Sequence, residues 1–229
     1  MKQLIIRNLK LRKTSLIYYA ILLVTAPFFH LYVDKNDVWG GFFFAIFSML
    51  IMFITLFDCG NAFRLQFKLG GNKAYYFNHS LPFSAKEQLN AHYLTTIIMS
   101  IAGTFVLIAY YNVPSNAQIN GIELATPLFF IAVNFIGHAL AFPKYSEVRK
   151  DYIPYWAFII FMNFILPIIL VVLLFVIAFL FYGFENVTDN MVDQYVNIIG
   201  VIFFVLSVAL FGLTYFKQLK KINEAEQKY

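Results

Sequence analysis

Long stretches that lack Asp, Glu, Lys and Arg alternate along the chain with short charged segments. A helix needs about 20 apolar residues to cross a hydrocarbon core of about 30 Å. Each stretch is long enough to cross once, and none shows the strict alternation of a membrane β-strand. The pattern therefore predicts six transmembrane helices, at about residues 15–33, 38–57, 91–111, 124–142, 153–182 and 194–216.

Basic residues mark one side of these predicted spans. They cluster before the first span, after the second, after the fourth and after the sixth, so that only Lys35 of the 17 Lys and Arg residues falls on the other side. The other side carries acidic residues such as Asp34, Glu123 and Glu185. Because cytoplasmic loops are enriched in Lys and Arg, we expect both termini in the cytoplasm. Membrane orientation thus accounts for the net charge of +5, and nucleic-acid binding is not needed to explain it.

The composition agrees with a membrane protein. Hydrophobic residues make up 61% of the 229 residues and charged residues 13%, against about 25% charged residues in soluble domains. No Ala-x-Ala cleavage pattern follows the first span, so we expect it to be retained rather than removed as a signal peptide. The single cysteine, Cys59, excludes an internal disulfide and a Cys-cluster metal site. We expect one all-α, polytopic membrane domain over residues 1–229.

Two segments depart from a plain six-helix bundle. Residues 2–13 mix Leu and Ile with Lys and Arg, which suits an amphipathic helix at the cytoplasmic membrane surface; an unstructured basic leader is the alternative. The fifth stretch, Ile153 to Tyr182, would measure about 45 Å as a straight helix, which is longer than one crossing. Pro167 should kink it. Either a crossing followed by a re-entrant segment or one long tilted helix would fit.

The loop over residues 58–90, the longest on the predicted cytoplasmic side, is rich in aromatic residues. Ser84 and Glu87 have capping-box spacing, so a helix should start there, and Pro82 should hold the preceding backbone extended. Exposed aromatic residues suit a docking surface for a soluble partner. A position among lipid headgroups would fit them equally well.

Sequence motifs for catalysis are absent: the chain has no G-x-x-x-x-G-K-[ST], G-x-S-x-G or H-E-x-x-H. The centres of the predicted spans also lack the ionisable residues of proton-coupled carriers, so a transporter of this kind would need a partner as its energy source. His30 and His138, near span ends, suit structural roles. The weakly polar midspan residues, which suit hydrogen bonds between helices, are Thr104, Asn134, Asn163 and Asn197.

The architecture and one short segment resemble the ABC-2-type permease family. The segment is Asn78-His79-Ser80-Leu81-Pro82-Phe83-Ser84-Ala85-Lys86-Glu87. Many bacterial members have Ser-Leu-Pro, then Ser or Thr and a basic residue, before the third span. They often carry Arg directly after the second Ser or Thr, where this chain has Ala85. Within the family, the chain resembles the permeases that export phenol-soluble modulins, which are amphipathic helical peptides.

The resemblance implies a six-span, type V exporter-like permease with an N-terminal interfacial helix, in a bacterial cell membrane. Two such chains, as a homodimer or a heterodimer with a sister permease, would pair with two ATPase subunits. ATP and Mg would bind to those subunits, and this chain would hold no cofactor and no catalytic residue. The cargo would be amphipathic or hydrophobic. The family's fold also places an outer re-entrant segment before the sixth span.

Site residues follow from the same resemblance. The loop over residues 58–90 would dock on the ATPase through a coupling helix. Its expected contacts are Tyr75, Tyr76, Phe77, Leu81, Pro82, Phe83, Ser84 and Glu87. Residues of the next cytoplasmic loop would make a second contact: Tyr145, Glu147 and Arg149. Candidate polar residues of the translocation path are Asn134 and Asn163.

Two other functions compete with the exporter hypothesis. A non-transporting immunity or scaffold protein, acting by sequestration or partner binding, would have the same span pattern and no ATPase partner. A membrane enzyme with an unrecognised site would need paired carboxylates or histidines within the membrane, and the spans lack them.

Overall fold

A computed structural model describes residues 1–33, 38–58, 60, 80–110, 125–141, 154–182 and 189–226. Almost all of these residues are helical, and no strand occurs within these ranges. In chain order the elements are α1 (Lys2–Leu11), α2 (Lys13–Val33), α3 (Val38–Phe57), α4 (Ala85–Ala109), α5 (Ala125–Ala141), α6 (Tyr155–Ile160), a π-helical segment (Phe161–Ile165), α7 (Leu166–Tyr182) and α8 (Asp189–Glu226).

Several of these helices could cross a membrane. By length and composition, four candidate spans occur in the described ranges: Lys13–Leu31, Ala85–Ala109, Tyr155–Phe181 and Gln194–Glu224. Two shorter apolar helices coincide with the second and fourth predicted spans: Trp39–Thr55 and Pro127–Ala141. The chain therefore contains membrane-spanning helices, while the count of six stays a prediction.

Contacts of α2 give the directions of its neighbours. Tyr18 donates from Oη to the Leu50 carbonyl at 2.7 Å, and the Phe29 and Phe47 rings are 5.5 Å apart. Residue numbers therefore rise along α2 as they fall along α3, so the two helices are antiparallel. Near the other end of α2, His30 Nε2 lies 2.7 Å from the carbonyl oxygen of Ala109, near the end of α4.

Helix α5 is antiparallel to α4 and parallel to α8. His138 Nδ1, near the end of α5, is 3.0 Å from Thr96 Oγ1, in the middle of α4. Further along α4, a Cβ built on Gly103 would lie 2.5 Å from Phe130 Cε1, near the start of α5. Along α8, the Phe129 and Phe203 rings stack at 5.4 Å, and those of Phe135 and Phe211 stack at 4.4 Å. The start of α2, the ends of α3 and α5 and the last third of α8 therefore lie on the side of the bundle where α4 begins. We call that side the basic end, because the described Lys and Arg residues lie in α1, at the starts of α2 and α4 and in the last turns of α8.

The N-terminal segment is helical, so the alternative of an unstructured leader is wrong. Leu4 and Asn8 are buried on one face of α1, and Asn8 Nδ2 donates to Thr95 Oγ1 at 3.3 Å. The Met1 amino group lies 3.3 Å from Glu87 Oε1. These two contacts show that α1 lies alongside the first turns of α4. Its place relative to the membrane surface stays a prediction.

The fifth apolar stretch is one unbroken helical run from Tyr155 to Tyr182. No turn within this run reverses the direction of the chain. Of the two alternatives, one long helix therefore describes it, and a re-entrant segment does not. The π-helical segment Phe161–Ile165 comes just before Pro167. Proline lacks an N–H, and its ring crowds the carbonyl of residue i−4. A local π-turn is a known way to accommodate such a disturbance.

The helix that contains the sixth predicted span is longer than that span, because α8 covers Asp189–Glu226, which is 38 residues. The extension past residue 216 contains no Gly or Pro, and its Lys, Gln, Leu and Glu residues are strong helix formers. Lys220 and Glu224 also form an i,i+4 ion pair at 3.8 Å. The apolar pattern ends near residue 216, whereas helix propensity extends the helix past it.

Candidate functional site

The beginning of α4 is fixed by the capping box that the sequence predicts. The Glu87 N–H donates to Ser84 Oγ at 3.2 Å, and the Ser84 N–H donates to Glu87 Oε2 at 3.2 Å. Two backbone donors that the helix leaves unpaired are thereby satisfied. The prediction of a helix start at this position is confirmed, and α4 begins at Ala85.

The residues just before the cap form a tight turn. The Phe83 N–H donates to the Leu81 carbonyl at 2.8 Å, a three-residue turn centred on Pro82. Ser84, the N-cap residue, has an extended backbone at φ −64° and ψ 152°. Gln88 Nε2 donates to the Phe83 carbonyl at 3.1 Å, which ties the turn to α4. We call residues 80–87 the α4 entry.

The α4 entry contains five of the predicted docking residues. Leu81, Phe83 and Glu87 are half-buried, whereas Pro82 and Ser84 are exposed. It is a compact, partly apolar surface at the basic end of the bundle. The other predicted contacts lie outside the described residues: Tyr75, Tyr76, Phe77, Tyr145, Glu147 and Arg149.

A buried ionic cluster, which local sequence patterns do not predict, lies between the first turns of α2 and the end of α3. The Arg12 guanidinium and the Asp58 carboxylate are 2.5 Å apart, and the two residues are 2% and 6% exposed. Ser15 Oγ donates to Asp58 Oδ1 at 2.9 Å, and Tyr19 Oη donates to Asp58 Oδ2 at 2.5 Å. Both carboxylate oxygens therefore accept hydrogen bonds. We call Arg12, Ser15, Tyr19 and Asp58 the Asp58 cluster.

Local sequence patterns explain why this cluster was missed. In the sequence, Arg12 is one of several basic residues before the first predicted span, and Asp58 directly follows the second. One signal was available: Arg12, Ser15 and Tyr19 have i, i+3, i+7 spacing and so share one helix face. Their partner is 46 residues from Arg12 along the chain, and nothing in the sequence near Arg12 points to it.

The segment that follows Asp58 is held from a second direction. Gly60 has φ +71°, a conformation that residues with a side chain rarely adopt. A Cβ there would lie 3.1 Å from the Phe158 ring. A Cβ on Gly137 would lie 3.0 Å from the same ring and 3.3 Å from the Gly60 Cα. Phe158 of α6 thus packs where the chain beyond α3 meets α5.

The candidate path residues Asn134 and Asn163 bond to their own helices. Asn134 Nδ2 donates to the Phe130 carbonyl at 3.0 Å, and Asn163 Nδ2 donates to the Ile159 carbonyl at 3.1 Å. Thr104 Oγ1 likewise donates to the Ser100 carbonyl at 2.8 Å. Asn134 has no exposed surface, and its place in a translocation path stays a prediction.

Two of the histidines, His138 and His30, occupy structural positions. His138 bonds to Thr96 and lies 4.3 Å from the Tyr93 ring, edge to face. His30 meets the Ala109 carbonyl, one of the last carbonyls of α4, which have no partner within the helix. Within the described ranges no group of three His, Cys, Asp or Glu residues could hold a metal ion.

The end of α8 completes the basic end of the bundle. Tyr215 Oη donates to Asn90 Oδ1 at 2.9 Å, one turn beyond the α4 entry. The Tyr215 and Tyr93 rings are 5.0 Å apart, and Leu89 and Phe211 belong to the same buried apolar cluster. The first turns of α4 are therefore packed between α1 and α8, which gives the α4 entry a rigid base.

Residues 3–223 match a family model described as ABC-2 family transporter protein. No curated protein and no solved structure matches the chain. The matched range begins in α1 and ends near the end of α8. It therefore includes the α4 entry, the Asp58 cluster and all the candidate membrane spans except the last residue of α8's span.

Proposed function

The chain belongs to the ABC-2 transporter family, whose members are the transmembrane permease components of ABC transporters, and on that premise we propose that it is the permease subunit of an exporter. An ATPase on a separate chain would supply the energy. The permease component of this family has no ATPase activity of its own. ATP and Mg would therefore bind to the partner.

The observation that carries the proposal is the α4 entry. It combines exposed and half-buried apolar side chains with a capped, hydrogen-bonded backbone, and it leads directly into a candidate membrane span. A push on this surface would act on the end of a helix whose first turns are packed on both sides. Such a surface suits an ATPase whose closure must move the spans.

The cargo we propose is amphipathic or hydrophobic, with cytolytic helical peptides such as phenol-soluble modulins as the example from the family resemblance. The described midspan segments carry no Asp, Glu, Lys or Arg. Their outward side chains are large and apolar, including Val205, Leu206 and Leu213 of α8. Walls of this chemistry suit apolar cargo surface better than ions, which need rings of carbonyls or charges. Two permease chains, identical or sister chains, would enclose the path and pair with two ATPases.

Replacing Leu81 and Phe83 together by Asp tests the docking assignment. Buried charges at an interface are costly, so we expect the yield of ATPase that co-purifies with the permease to fall by more than about tenfold. The ATPase tested is the one encoded beside the permease gene. Unchanged gel-filtration elution and thermal midpoint of the variant permease show that it is folded.

A conservative double variant, Leu81→Met with Phe83→Leu, is the matched control and should retain the complex, since it keeps apolar side chains at both positions. A complex that survives the Asp variant contradicts the docking site. If the unmodified permease binds no ATPase, the immunity or scaffold function becomes the better explanation.

A further inference from the structure

The Asp58 cluster stands out among the buried groups because no other buried ion pair occurs in the part of the chain that the structure describes. The carboxylate of Asp58 accepts from three donors, of which Arg12 and Tyr19 are each 2.5 Å away. Those donors lie where α1 ends and α2 begins. Asp58 directly follows α3, and its N–H bonds to the Phe53 and Ile54 carbonyls of that helix.

A buried ion pair is a weak source of stability. Removing two charges from water costs about as much as their attraction returns, and apolar residues of similar volume often stabilise a protein equally well. The pair does fix the relative orientation of the groups that it joins, because its hydrogen bonds tolerate little change in distance or angle. In some proteins buried polar groups serve to fix the register of helices. The arrangement of three donors around Asp58 has this property.

The cluster lies where several parts of the chain meet, so its rigidity affects all of them. In the sequence, the segment beginning at Asp58 connects α3 with the α4 entry. On one side it is bonded to Arg12 and Tyr19. On the other, Gly60 packs on Phe158, whose ring also contacts Gly137. Three parts of the chain (the α1–α2 junction, the end of α3 and the α5–α6 contact) therefore meet within three residues.

We propose that the Asp58 cluster is a rigid joint that makes α2 and α3 move as one unit when the loop between α3 and α4 is displaced. Asp58 is then a positioning residue for transport. It acts through the helices and touches neither ATP nor cargo. The part that concerns transport rests on the proposed function, whereas the rigidity of the joint does not.

The test measures the distance between α2 and α3 with spin labels on Lys13→Cys and Met52→Cys, in a Cys59→Ser background. Both labelled positions are exposed. The protein alone, in lipid nanodiscs, should give a narrow distance distribution. Arg12→Met with Asp58→Leu replaces the pair by apolar side chains, which preserves folding but removes the directional bonds. We expect this variant to give a broader distribution with a thermal midpoint close to that of the parent.

Asp58→Asn keeps the size of the side chain but loses its charge and one acceptor oxygen, so it should broaden the distribution, as a role in packing alone would not predict. The same measurement on the complex with the ATPase adds a second readout. Trapping the complex with ADP and vanadate should leave the distance unchanged in the parent and change it in the apolar double variant.

If the parent and the double variant gave identical distance distributions, with and without trapping, the proposal of a rigid joint would be wrong. If the permease binds no ATPase, the proposed function fails, while the nanodisc measurement still decides whether the joint is rigid. The two failures are therefore distinguishable.

Discussion

Single glycines decide how closely the helices of this bundle approach each other. Gly103 of α4 lies against α5 and α2, and a Cβ built on it would lie 2.5 Å from Phe130 Cε1 and 3.1 Å from Tyr19 Oη. Phe130 is only 2% exposed and is packed in the main apolar cluster. Its ring therefore has little space to move away. Small residues at such contacts are typical of membrane helices.

We expect Gly103→Ala to destabilise the protein by about 1–3 kcal/mol, the usual cost of overpacking a core. The measurement is thermal unfolding of the purified protein in detergent. Gly212→Ala is the matched control, because nothing lies within 4 Å of its Cβ position. In a helix interior that change should be neutral or stabilise by about 0.5–1 kcal/mol. Equal midpoints for the two variants would contradict the close contact at Gly103.

Among the helices, the features set by a few neighbouring residues are the most predictable from the sequence. The capping box at Ser84 and Glu87 follows from two residue types at fixed spacing, and the structure contains it. The π-helical segment before Pro167 and the length of α8 were not predicted. A proline indicates that a helix is disturbed without indicating how. A hydrophobic stretch indicates where the membrane lies, not where the helix ends.

The cap gives a prediction for the first turn of α4. Ser84→Ala should remove about 1 kcal/mol of capping stabilisation. This corresponds to a roughly fivefold larger equilibrium constant for local opening, and so to roughly fivefold faster hydrogen exchange. Hydrogen exchange of the backbone amides at residues 86–88 measures it, and Ser84→Asp, which can also cap a helix, should restore protection. Thr214→Ala is the control, since that hydroxyl bonds only to the Leu210 carbonyl of its own helix. Unchanged exchange in Ser84→Ala would show that packing alone holds the α4 entry.

For the whole molecule, the charge pattern and the contacts lead independently to the same arrangement. The sequence predicts helix directions that alternate, with nearly all basic residues at one side. The contacts of α2 with α3 and of α5 with α4 and α8 give the same directions without using charge. The Asp58 cluster could not be predicted in this way, because pairing Arg12 with Asp58 requires the packed bundle.

The charge pattern predicts the orientation in the cell, and this prediction can be tested directly. In a Cys59→Ser background, single cysteines at Lys86 and Lys217, at the basic end, should be protected from a membrane-impermeant maleimide in intact cells and should react after the membrane is opened. A cysteine at Trp39, at the opposite end, should react from outside, since this side chain is 67% exposed. Positive charge beside a span is retained on the cytoplasmic side during insertion. Labelling of Lys86→Cys in intact cells would place the α4 entry outside, where no cytoplasmic ATPase could reach it.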